Sequence, residues 1–186
     1  VSGDFEGPIF RGGGLEITST FPAPGEVAVP TDTRLEVTFN EQVGGLFDDQ
    51  DFDFGLFPEP LAFGGLEISR DGRTLLADVE LEEDAVYQLF VASQRFGFFQ
   101  VSFTTGDQFP DGAISGQLIL PPEVPSELIA PEESGVILLD AQALLEEDTD
   151  VIVQFVSFGP SGEYRFDNVP DGDYVGLLNG KKLFIL

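Results

Sequence analysis

Residues 21–43, FPAPGEVAVPTDTRLEVTFNEQV, decide the fold class. The stretch opens with Pro and Gly, takes a short apolar step to Val29, turns at Pro30-Thr31-Asp32, and ends in an alternating run. In that run Leu35, Val37 and Phe39 point one way while Arg34, Glu36 and Thr38 point the other. A period of two describes a strand with one face on a core and one in water. Working outward, the pattern recurs before it in Leu15-Glu16-Ile17-Thr18-Ser19-Thr20 and after it in Asp51-Phe52-Asp53-Phe54. It recurs again over 65–69, over 74–81 with Leu75, Ala77, Val79 and Leu81 on one side, over 86–92 and over 98–105. Arg70-Asp71-Gly72-Arg73 reads as a hairpin loop whose Asp-Gly pair takes the positive φ angles of a primed turn. About seven short strands at regular spacing predict a β-sandwich.

Composition agrees with this reading. The chain has 186 residues, enough for one large or two small domains. It is 42% hydrophobic with 19 Phe, which separates it from a disordered acidic tail. The 22 Gly and 13 Pro are spread along the chain, as expected for an all-β protein with many turns. Cys is absent, which excludes disulfides and thiolate chemistry. No apolar run reaches the ~18 residues of a membrane-spanning helix, so membrane insertion through a helix is not expected. The chain contains no Met: removal of a signal segment, and with it an extracellular, cell-surface setting, is the expectation, and excision from a longer chain is the alternative.

Net charge is −26, from 34 acidic and 8 basic residues. Both halves carry the excess: 20 acidic against 5 basic before Pro110, and 14 against 3 after it. Such a field repels nucleic acid and anionic lipid, so neither is an expected partner. Two readings of the charge stand. One is solubility in a salty or hot medium, where screening shortens repulsion to ~8 Å or less. The other is divalent-cation binding at particular carboxylate clusters.

Residues 1–14, VSGDFEGPIFRGGG, form an arm with an apolar patch and a Gly12-Gly13-Gly14 hinge. Residues 15–106 form the first domain and 107–112, DQFPDG, a short linker. The second domain, 113–186, opens with an apolar-rich strand, AISGQLIL. A Pro- and Glu-rich loop over 121–134 follows, and Pro excludes central strand positions there. Strands are expected at 136–139, 151–157, 163–166 and 173–178, with a helical turn or acidic loop over 141–148.

Two resemblances sharpen this division. Pro22 to Gly25, Val29-Pro30, Val37 to Phe39, Tyr87 and the closing Phe103-Thr104-Thr105-Gly106 resemble bacterial Ig-like domains of the SbsD-like, "Big" type. Ile114-Ser115-Gly116 together with Gly162-Glu163-Tyr164-Arg165-Phe166-Asp167-Asn168-Val169-Pro170-Asp171-Gly172-Asp173-Tyr174 resembles the carboxypeptidase regulatory-like, prealbumin-like β-sandwich. These likenesses imply two tandem Ig-like and prealbumin-like sandwiches. In the second, Asn168 and Gly172 make the tight connection while Tyr164, Phe166 and Tyr174 fill the core. After Tyr174 the chain is shorter than that family's usual finish. The sandwich is either completed by residues 182–186 or left short of a strand.

Catalysis is not expected. Without His or Cys the usual nucleophile–base pairs and the commonest transition-metal ligands are missing. No carboxylate pair sits in an apolar setting that would raise one pKa. The densest acidic cluster, Asp48, Asp49, Asp51 and Asp53, is the best Ca²⁺ candidate, because hard cations want several oxygens. It is not an EF-hand: Phe54 stands where that loop needs Gly. A solvated strand edge that resists pairing explains the same residues. Glu146-Glu147-Asp148 with Asp150 is a weaker candidate, and no other cofactor is expected. The only lysines, Lys181 and Lys182, lie far from the first strand of their domain, so no internal isopeptide bond is expected.

The expectation is therefore a non-enzymatic extracellular protein whose partners are copies of itself, joined in a filament by strand addition. Its contact candidates are Phe5, Pro8, Ile9 and Phe10 in the arm, and Leu183, Phe184, Ile185 and Leu186 at the other end. A surface glycan is the alternative partner, for a carbohydrate-binding or spacer module of a larger secreted enzyme or adhesin.

Overall fold

The computed structural model describes residues 14–44, 52–93, 97–119, 134–146 and 151–180. The fold is an all-β sandwich fold, built from antiparallel sheets. The chain divides into two compact units at Phe109–Pro110.

The first unit contains β1 (Ile17–Phe21), β2 (Asp32–Phe39), β3 (Phe52–Phe57), β4 (Ala62–Ile68), β5 (Thr74–Glu80), β6 (Val86–Ser93) and β7 (Gly97–Thr104). One sheet has the order β1-β2-β5-β4 and the other β3-β6-β7. The alternation in β2 works as the sequence implies. Leu35, Val37 and Phe39 are buried and meet Leu75, Ala77 and Val79 of β5 in one cluster with Leu56, Tyr87, Leu89, Val91, Val101 and Phe103 of the other sheet. The opposite face of the first sheet is wet: Arg34 and Asp78 form a two-pronged ion pair there, both bonds 2.6 Å.

The half of the opening stretch that does not alternate has its own role. After β1 ends at Phe21, the chain crosses to the second sheet and lies along β7. Gly25 N–H donates to Ser102 O (2.8 Å), Thr104 N–H to Glu26 O (3.0 Å) and Val29 N–H to Thr104 O (3.1 Å). Residues 25–29 thus satisfy backbone groups on the outer edge of β7 before β2 begins in the other sheet. The closing motif pins a second crossing. Phe103 stacks on the fully buried Tyr87, whose hydroxyl accepts the Glu82 N–H at 2.9 Å. The Thr105 hydroxyl donates to Glu82 O, and the Thr104 hydroxyl donates to Ala85 O.

Two sequence expectations change. The loop at 70–73 is not a primed turn: of its Asp-Gly pair only Gly72 has positive φ, at 73°. The reason is local hydrogen bonding. The Asp71 carboxylate accepts from the Ser69 hydroxyl and the Arg73 N–H, and Gly72 N–H donates to Ser69 O, which makes a four-residue loop around Arg70 and Asp71. The strand expected from 65 begins earlier, at Ala62, because a register shift between Phe63 and Leu66 interrupts its alternation.

The second unit contains β8 (Gly112–Gln117), β9 (Ser134–Asp140), α1 (Ala141–Leu145), β10 (Ile152–Ser157), β11 (Glu163–Val169) and β12 (Tyr174–Gly180). Its sheets are β10-β9-β12 and β11-β8. Val136, Leu138, Phe158, Phe166 and Val169 form the core, with Ile114, Leu118, Val156, Tyr164 and Tyr174 packed against it. Gly116 is needed because a Cβ there would strike the Tyr164 ring. Asn168 takes a positive φ of 60° at the register shift between Asp167 and Val169. Residues 141–145 are helical, capped by the Asp140 carboxylate, which accepts from the Gln142 and Ala143 N–H groups.

Candidate functional site

An edge strand exposes a row of unpaired N–H and C=O groups, and soluble proteins blunt such edges with bulges, charges or cover. Most edges in this molecule follow that rule. β7 is covered by residues 25–29. β1 is interrupted by a register shift between Ile17 and Ser19, and β4 by the shift after Phe63. β3 carries the exposed Asp53. β10 has a shift between Ile152 and Gln154, and the Gln154 amide donates to Asp167 O of β11 at 3.2 Å.

β12 does not follow it. Its seven residues, YVGLLNG, pair with β9 in unbroken register from Tyr174↔Asp140 to Gly180↔Ser134. The strand holds no charge, no Pro and no bulge, and its other edge has no strand partner among the described residues. Tyr174, Gly176 and Leu178 share the face of buried Val136 and Leu138, which is the core side. Val175 and Leu177 share the outer face with Leu139 and Ile137. Val175, Leu177 and Leu178 remain 42%, 52% and 44% exposed. Apolar surface is therefore open on both faces of one edge strand. On the outer face it continues inward as two cross-strand rows, Leu177–Ile137–Phe155 and Val175–Leu139–Ile152. The other sheet's outer face is polar, with Glu163, Arg165 and Asp167 on β11 opposite Gln117, Ser115 and Ala113.

The start of β12 is acidic and firmly held. Tyr174 donates its hydroxyl hydrogen to Pro170 O at 2.8 Å. Burial pushes the Tyr174 phenol up, and the negative charges of Asp140 and Asp171 push it further. Ala141 N–H donates to Asp173 O across the same end.

Of the sequence candidates, the structure describes Asp53, exposed on β3 opposite Ala92, and Glu146, exposed at the end of α1, where its carboxylate accepts from the Gln142 amide at 3.1 Å; Glu147, Asp148 and Asp150 lie outside the described residues. Asp48, Asp49 and Asp51 lie outside the described residues, as do Phe5, Pro8, Ile9, Phe10, Leu183, Phe184, Ile185 and Leu186. Among the described residues no three His, Cys, Asp or Glu side chains are grouped to hold a metal. Sequence reasoning passed over β12 as a site, although its lack of charge in so acidic a chain was a signal for it.

No known protein-family model matches the chain, and no curated protein matches it. The Ig-like and prealbumin-like resemblances rest on their motif residues alone.

Proposed function

We propose that this chain is a non-enzymatic extracellular structural protein, the repeating subunit of a cell-surface filament assembled by strand addition between copies. The observation that carries the reading is β12, an edge with no charge, bulge or second strand partner among the described residues and with apolar side chains open on both faces. Strand addition draws affinity from main-chain hydrogen bonds and specificity from alternate side chains, and such an edge supplies both. The contrast with the covered, bulged or charged edges at β1, β3, β4, β7 and β10 supports a retained function for this one. A head-to-tail contact of this kind runs on as a fibre wherever its rotation does not close into a ring. The tandem Ig-like and prealbumin-like assignment belongs to the same proposal, as modules suited to spanning distance.

A second reading has its own observation. Phe57, Phe90 and Phe98 line up across the outer face of β3-β6-β7, with centroids 4.8 and 6.2 Å apart and planes within 19°. A row of aromatic rings suits a glycan-binding module. Light scattering of the native protein over a hundredfold concentration range, with electron microscopy, separates the two. Growing mass and fibres support the filament. A constant monomer mass refutes it and favours the module.

A further inference from the structure

The water-facing side of β3-β6-β7 is built from three cross-strand rows: Phe57–Gln88–Ser102, Gly55–Phe90–Gln100 and Asp53–Ala92–Phe98. The three rings therefore run along its diagonal, one from each strand. On one flank of that diagonal stand Gln88, Gln100 and Ser102, which carry amides and a hydroxyl. On the other stand Gly55 and Ala92, with almost no side chain, and Asp53, the one charge in these rows. The outer face of β1-β2-β5-β4 is the opposite case, with Asp32, Arg34, Glu36, Asp78 and Glu80 exposed on it. Gly55 has a definite purpose. A Cβ there would lie 2.4 Å from two carbons of the Phe90 ring, so glycine is what lets that ring reach across β3. The ring is held in place before any ligand arrives, which reduces the ordering that binding must impose.

This combination selects a ligand class. Parallel rings in contact lie about 3.5 Å apart, so centroids at 4.8 and 6.2 Å mean that each ring is slid sideways past the next. Part of each ring face is thus left uncovered by its neighbour. Those faces are negative and attract weakly positive C–H bonds. A sugar whose hydroxyls are equatorial offers such bonds as an apolar face and its hydroxyls around the rim. Laid on the diagonal, it meets rings beneath and has Gln100 and Ser102, both half-buried, at its side. An acyl chain would leave that polar flank unused, and an anionic ligand meets a chain of net charge −26. We infer that this face binds an uncharged polysaccharide of equatorially substituted sugars, of the glucan or chitin kind, stacked along Phe57, Phe90 and Phe98. The assignment rests on the glycan-binding reading of the second paragraph above and names its ligand.

The test is affinity electrophoresis of the full chain in native gels that contain hydroxyethylcellulose, glycol chitin or, as the charged comparison, alginate. The parent is expected to be retarded by a neutral polymer and not by alginate. Phe90→Ala is expected to weaken that retardation about three- to tenfold, the scale of one lost ring contact. Gly55→Ala keeps all three rings but pushes Phe90 out of line, and is expected to weaken it as well. Circular dichroism checks that the variants are folded. Should either unfold, Phe57→Ala, at the end of the diagonal, takes its place with the same expected loss. Retardation by a neutral polymer that Phe57→Ala and Phe90→Ala leave unchanged overturns this site, and the glycan-binding reading survives elsewhere on the chain. Retardation by alginate as strong as by the neutral polymers overturns the ligand class and again spares that reading. If none of the three polymers retards the parent, both fall.

Discussion

Replacing Tyr87 with Phe removes one oxygen from the middle of the first unit and leaves the ring in place. The side chain is fully buried and stacks on Phe103 at 5.7 Å, so ring packing is preserved. What changes is the 2.9 Å bond that the hydroxyl accepts from Glu82 N–H, at the crossing from β5 to β6. An ordinary hydrogen bond contributes about 1 kcal/mol net, and a donor left dry costs up to about 3 kcal/mol. Near the midpoint, 1 kcal/mol moves the Tm of a domain of this size by about 4–8 °C, so a fall between about 4 °C for the bond alone and about 24 °C for a fully dry donor is expected. The Thr105 hydroxyl donates to Glu82 O from the other side, so Tyr87→Phe and Thr105→Val should couple by ~0.5 kcal/mol or more in a double-mutant cycle. Thermal and urea unfolding followed by circular dichroism read the effect, with the transitions of the two units fitted separately. A Tyr87→Phe protein within about 0.3 kcal/mol of the parent would show that this hydroxyl does not hold the crossing, and the argument from the closing motif would fail.

Gly116→Ala drives a methyl into the Tyr164 ring and should cost the second unit about 1–3 kcal/mol, read as a lower midpoint in its urea transition alone. Asp140→Ala removes the cap of α1 and should cost about 1 kcal/mol by the same assay. The Ser69 hydroxyl and Arg73 N–H hold the Asp71 carboxyl below its ordinary range, and Arg34 does the same for Asp78. A depressed carboxylate pKa adds stability above the unfolded value of about 3.9 that is lost as pH falls through the folded value. Asp78→Asn should therefore flatten the acid limb of the first unit's pH–Tm curve below pH ~4, and an unchanged limb would refute the pairing. Titration with Ca²⁺ tests the acidic cluster: a Tm rise abolished by Asp51→Asn with Asp53→Asn supports it, and no rise removes it.

Much of the first unit was legible because burial on one side of a strand writes a period-two pattern into the chain. Leu35, Val37, Phe39, Leu75, Ala77 and Val79 could be assigned to the core from that alternation alone. The motif residues Tyr164, Phe166 and Tyr174 were likewise assigned to the core, where Phe166 is buried and the two tyrosines pack against it. The turn at 70–73 was misread because turn type depends on which side chain captures which N–H, and Asp71 captured Arg73. β12 was expected as a strand but not as an edge. Neighbour order is a property of pairing between distant segments, and no local pattern records it.

Composition and alternation thus determined on their own that this chain is all-β, and they marked most of the side chains that fill its cores. Tertiary structure alone decided which strands stand at the margins. It turned the non-alternating residues 25–29 into a cover for β7 and left β12 without a second strand partner among the described residues, apolar on two faces. The physical reason is that a side chain's environment repeats every second residue, whereas a backbone hydrogen-bond partner is supplied by whatever segment the fold brings alongside.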